Sequence, residues 1–140
     1  MTIRVGVDLV AVQEVESSVQ RFGDRYLERV FTASELGVPG GDEHRLERLA
    51  ARFAAKEAAI KTLRFAGPVD LREIEVVLAE GGAPLLRLTG EAAKFATQQR
   101  LGAFEVSLSH EGGFAIAVVV ARKRLGAVPA RMRRWTHGRG

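Results

Sequence analysis

The chain has 140 residues, 46% hydrophobic and 27% charged, with no cysteine. That size and balance describe one globular domain with room for a core, and they exclude disulfides and thiolate chemistry. The formal charge of +4 sits in an appendage: residues 122–140 hold 7 of the 21 Lys and Arg and no acid, leaving 14 basic against 17 acidic residues in the body. This placement argues against a nucleic-acid-binding body.

At the N-terminus, Ile3, Val5, Val7 and Leu9 alternate with Arg4, Gly6, Asp8 and Val10. That period of two predicts a strand. A helical pattern runs from Ala11 to about Leu27, broken at Gly23, and "TASE" at 32–35 has the spacing of a capping box. After the loop "GVPGGD", Asp42 is expected to cap a long helix ending near Leu63 or Arg64, with "FAGPVD" beyond it. Two hairpins are predicted over 71–89 and 104–121, separated by a helix from about Glu91 to Arg100. The expected fold class is α+β, an antiparallel sheet with a long central helix and shorter ones. The expected organisation is a domain over 1–121 and a flexible basic tail over 122–140. No apolar run reaches the roughly 20 residues of a membrane span, and "MTIRVGVDLV" is too short and too acidic for a signal peptide. The expected location is the cytoplasm.

The long helix carries the first anomaly. Leu46, Leu49, Phe53 and Ile60 make one apolar stripe, and Glu57 stands in its middle. A carboxylate there costs several kcal/mol unless it is paired or bound to a cation. It is an i,i+4 partner of Lys61, a solvated acid at a bend of the stripe, or a ligand. Asp8, two residues after Gly6 on one strand face, is either an edge-strand acid or a second ligand. Two carboxylates on rigid elements suit Mg²⁺, whose remaining positions water and substrate phosphates fill. Arg52, Lys56 and Lys61 on the same helix would supply cations for a phosphorylated ligand.

In "VSLSH" at 106–110, Ser107 and Ser109 share one strand face and His110 enters the turn "HEGG". Neighbours on a strand point to opposite faces, so Ser109 and His110 do not make a nucleophile–base pair. They are phosphate donors, or His110 is a plain turn residue. His44, His110 and His137 show no metal-ligand spacing, and there is no Walker A loop or G-x-S-x-G elbow.

Together, "VGVDLV", "RFAAKEAAIK", "REIEV" and "VSLSHEGGFAIAVVV" closely resemble holo-acyl-carrier-protein synthase, the small type of 4′-phosphopantetheinyl transferase. The ordered set covers about residues 3–121. The resemblance implies transfer of 4′-phosphopantetheine from coenzyme A to a serine of an apo carrier protein, with Mg²⁺ held by Asp8 and Glu57. It further implies that Lys61 contacts the phosphates, and that Arg52, Lys56, Ser109 and His110 lie near the nucleotide. Glu57, Lys61 or a metal-bound water would take the serine proton. A homotrimer with its sites at the seams between subunits is also implied, and would explain an acid on an apolar helix face.

Two departures stand out. Relatives often carry a glycine-rich turn where this chain has "LRFAGPVD", so Arg64 and Phe65 alter the loop at 63–69. Glu14 replaces a common arginine in a helix where "VQEVESSVQRF" is acidic, with Arg21 and Arg25 only further on. Because carrier proteins are acidic, that change points to a specialised carrier from a polyketide or peptide pathway rather than from fatty acid synthesis. The alternative is a non-catalytic carrier- or coenzyme A-binding subunit that kept the fold.

Overall fold

The alternating N-terminus forms strand β1 (Thr2–Ala11) in a computed structural model that describes residues 2–37 and 42–124. Gly23, at φ 57, divides the next segment into α1 (Val12–Phe22) and α2 (Asp24–Val30). The short α3 (Ala33–Leu36) opens on the expected box. Glu35 N donates to Thr32 Oγ1 at 3.2 Å and Thr32 N donates to Glu35 Oε1 at 3.0 Å. One expectation fails at the next helix. A 3₁₀ turn over Asp42–His44 comes first, and α4 (Arg45–Leu63) starts from His44, because the tighter turn moves the α-helical start three residues on.

The second half follows the predicted order: β2 (Ile74–Leu78), β3 (Pro84–Leu88), α5 (Gly90–Gln98), β4 (Leu101–Glu111) and β5 (Phe114–Lys123). Both hairpins form, β2 with β3 and β4 with β5. β1 then pairs antiparallel with β5, giving a three-stranded sheet in the order β1-β5-β4. The last strand reaches Lys123, past the domain boundary set at 121, and the rest of the basic tail, from 125 on, lies outside the described residues.

Helix α4 lies across the three-stranded sheet on a bed of small side chains. Ala50, Ala51, Ala54, Ala55, Ala58 and Ala59 are each at most 5% exposed, as are Ala115, Ala117, Val119 and Ala121 of β5. Small residues on both sides let backbones approach closely, and Gly6 of β1 is where that matters most. A Cβ there would stand 2.5 Å from Thr62 Oγ1 and closer still to the carbonyl oxygen of Ala58.

This packing overturns the expected orientation of α4. Leu49 is buried, but Leu46, Phe53, Glu57 and Ile60 are only half-buried, so their stripe is the helix's edge and the alanines form its core side. The same close packing decides the facing of β1. Gly6, Asp8 and Val10 face α4, while Ile3, Val5, Val7 and Leu9 are each at least 50% exposed. Phe114 and Ile116 of β5 extend that outward apolar side, through the pairings Ala11–Phe114 and Leu9–Ile116.

Candidate functional site

Close contact between β1 and α4 brings Asp8, Glu57 and Lys61 to one edge of the helix. Lys61 Nζ lies 3.0 Å from Asp8 Oδ1 and donates to the Val7 carbonyl at 2.9 Å. The lysine therefore pairs with Asp8 across the two elements, and not with Glu57 along its own helix. Glu57 makes no hydrogen bond or ion pair among the described residues. Burial raises its pKa above the ordinary glutamate value; the charge of Asp8 raises it further, and Lys61 offsets part of this. Two carboxylates that repel each other, one without a partner, could together hold a divalent cation. Among the described residues no group of three or more His, Cys, Asp or Glu could hold a metal, so any ion here relies on two protein carboxylates.

Lys56, expected near the nucleotide, is instead in the core. Its ammonium is 0% exposed and donates to Glu35 Oε1 at 2.6 Å, the Leu71 carbonyl at 2.9 Å and the Ile74 carbonyl at 2.7 Å. Those three acceptors use all three donors of an ammonium, so none is left for a ligand. Glu35 is bound just as fully, accepting in addition from Thr32 N and from Val76 N at 3.1 Å. The pair ties α3 and α4 to β2. Thr32 also donates to Glu75 Oε2 at 2.5 Å, and Glu75 accepts from Arg87. Arg52 is 5% exposed; its Nη1 donates to the Arg48 carbonyl at 3.3 Å, and its buried Nε has no partner.

His110 and Ser109 lie apart from the carboxylates. Ser109 is opposite Ile116, which is opposite Leu9, so it belongs to the outward apolar face of the sheet. His110 reaches the start of α4, with Nδ1 3.5 Å from Glu47 Oε2. The same carboxylate oxygen lies 3.2 Å from His44 Nδ1. Glu47 had not been singled out from the sequence; its spacing of three from His44 was the available signal, and its contact with His110 spans the fold. Glu47 and Glu57 are ten residues apart on one helix, about 15 Å along its axis. The expected site residues thus form two clusters: Asp8, Glu57 and Lys61 at one end of α4, His110 with Glu47 at the other.

Comparison with known proteins gives this arrangement a setting. Residues 4–119 match the family model described as the 4′-phosphopantetheinyl transferase superfamily. A holo-[acyl-carrier-protein] synthase of Streptomyces griseus is 39% identical over 121 residues, covering 86% of this chain and 98% of its own. One from Chloroflexus aurantiacus is 43% identical over 130 residues, covering 83% and 95%. Among solved structures, the Mycobacterium tuberculosis acyl carrier protein synthase aligns with a TM-score of 0.68 at 36% identity, covering 88% of this chain and 100% of that one. The Helicobacter pylori synthase in complex with coenzyme A aligns at 0.73 with 31% identity, covering 84% and 99%.

Proposed function

Because the chain belongs to the 4′-phosphopantetheinyl transferase superfamily, we propose how its residues divide the work of that chemistry. The activity is that of a holo-[acyl-carrier-protein] synthase: 4′-phosphopantetheine passes from coenzyme A to a serine of an apo carrier protein, releasing adenosine 3′,5′-bisphosphate. The serine hydroxyl attacks the β-phosphorus as its proton passes to a nearby base, and the bond from that phosphorus to the bridging oxygen breaks. Negative charge grows on the oxygens of the leaving phosphate.

The observation that carries the site assignment is Glu57, unpartnered among the described residues and with its pKa raised by burial and by Asp8, next to an Asp8 already engaged by Lys61. In our reading Asp8 and Glu57 would hold Mg²⁺, which when bound withdraws charge from the pyrophosphate oxygens. Lys61, more than half exposed while touching Asp8, adds a cation at the same edge and turns toward the phosphates. The second cluster, His110 beside Glu47, would contribute to a nucleotide site on a neighbouring copy, with Ser109 on the other face of β4 and Arg52 on α4 as further contributors. The separation of the two clusters along α4 supports a site shared between chains. The outward apolar face of β1 and β5 supports it too, because a monomer rarely leaves so many aliphatic side chains together in water. We propose a homotrimer closed on that face. Lys56 keeps the structural role its burial gives it.

The carrier would approach the basic side of α2. Glu14 and Glu16 of α1 are followed by Arg21, Arg25 and Arg29, and a cavity of ≈ 290 Å³ is lined by Phe22, Arg25, Tyr26 and Arg29. An acidic carrier meets repulsion at the first pair and attraction beyond it, which fits a carrier of a polyketide or peptide pathway. No helix among the described residues is long and apolar enough to cross a membrane, and the cytoplasm is the proposed location. A non-catalytic binding subunit is not favoured, since the relatives are synthases over nearly their whole length. The test mixes protein, apo carrier, coenzyme A and Mg²⁺, and weighs the carrier.

A further inference from the structure

Arg64 ends α4 in a backbone conformation that side chains rarely adopt. Its φ of 54 and ψ of 40 lie in the left-handed region, where a Cβ crowds the following carbonyl and glycine is the usual occupant. The turn does not depend on the arginine side chain. Arg64 N closes on the Lys61 carbonyl at 3.2 Å, and Phe65 is fixed against Phe95 with ring centroids 4.5 Å apart. The guanidinium is exposed and has no hydrogen-bond or ion-pair partner among the described residues. A left-handed arginine whose side chain is unengaged within the described residues is free to meet a ligand, and its place in the fold decides whether it does.

Glu57 and Lys61 stand one turn apart on α4, and Arg64 caps the end of that helix three residues beyond Lys61, about 10 Å along the axis from Glu57. The C-terminal end of α4 therefore carries Glu57 and then two cations. Asp8 and Glu57 offset most of the charge of a divalent ion and Lys61, so a pyrophosphate at this end of the helix would keep negative charge to be met. A planar guanidinium at the end of the helix offers two parallel donors to one phosphate. We propose that Arg64 is a binding residue for a phosphate of coenzyme A, which rests on the coenzyme A reading given above.

Left-handed geometry makes the test clean, because Arg64→Gly removes the side chain and relieves the backbone together. Arg100, at φ 59 after α5, is the matched control. It adjoins Leu101, whose row runs through Lys123 to Thr2, at the opposite end of β1 from Asp8. Both glycine variants should melt at or above the wild-type temperature. Arg64→Gly should raise KM for coenzyme A on the order of tenfold, the scale of one lost charge-assisted contact, and act on KM more than kcat. Arg100→Gly should leave KM where it was. An unchanged KM in Arg64→Gly, or an equal rise in both variants, overturns the proposal. Calorimetric titration of the same proteins with coenzyme A keeps the two claims apart. A wild type that binds but does not transfer would contradict the catalytic reading alone, while equal affinities in wild type and Arg64→Gly would contradict this one.

Discussion

Gly6 of β1 touches the backbone of α4 at Ala58, leaving no room for even one methyl group between them. That contact sets the distance between strand and helix, and so sets Asp8, two residues on, beside Lys61 and Glu57. Gly6→Ala should therefore act on fold and function together. Pushing the helix off the sheet should cost about 2 kcal/mol or more, read as a lower midpoint in urea. The Asp8–Lys61 contact should loosen with it, so residual transfer should fall further than the folded fraction does.

Glu57 is held against its own charge. Its folded pKa is raised, so the folded chain binds its proton more tightly than the unfolded chain does. Stability from this group is then greatest in acid and declines as pH rises from the unfolded value of about 4.3 through the raised folded value. The cost is therefore greater at neutral pH than in acid. Glu57→Gln should melt a few degrees above the wild type at pH 7, lose that advantage below pH 4, and lose transfer. Added Mg²⁺ should stabilise the wild type and leave Glu57→Gln unmoved. Thermal melts across pH, with and without the ion, check all of this.

Lys56 and Glu35 form a buried pair with no exposure on either side chain. Removing one partner leaves a buried charge, so Lys56→Met should cost about 3–5 kcal/mol. The double variant Lys56→Met with Glu35→Gln should recover part of that loss. If Lys56→Met instead melts normally and only KM for coenzyme A rises, the lysine meets the nucleotide after all. Denaturant titration beside a KM measurement separates the two.

The apolar outer face of β1 and β5 should govern assembly. Val7→Glu places a charge in the middle of Ile3, Val5, Leu9 and Ile116, on a side chain that is itself 50% exposed. Its cost to the isolated chain should be small. Sedimentation should show the wild type as a trimer and Val7→Glu as a monomer that stays folded but has lost transfer. A monomeric wild type with full activity would contradict the shared site.

Much of this architecture was legible in the residues. Alternation at 3–10 gave β1, the Thr32 and Glu35 spacing gave a capping box with both of its bonds, and glycine-marked turns gave both hairpins. What misled was the helix. Leu46, Phe53 and Ile60 draw the eye because they are large, yet the core side belongs to alanines, which bury little area each but permit close approach. Glu57 therefore sits at an edge and was never misplaced. The burial of Lys56 was not legible, because its partner Glu35 is 21 residues away and two elements back. A surface lysine and a buried, paired one look alike in a sequence. Glu47 escaped because its link to His110 exists only once β4 lies beside the start of α4. Alternation along β1 marks two faces, and it does not say which one a helix will cover.

The central claim is that Asp8 and Glu57 together hold the divalent ion that phosphopantetheine transfer requires. The most direct test is carrier mass after incubation with coenzyme A, for the wild type, Asp8→Ala and Glu57→Gln, with Mg²⁺ present or chelated. The account predicts a pantetheine mass gain only for the wild type with the ion present, with both variants folded by circular dichroism. Undiminished gain in Asp8→Ala, or in the chelated wild type, would contradict it.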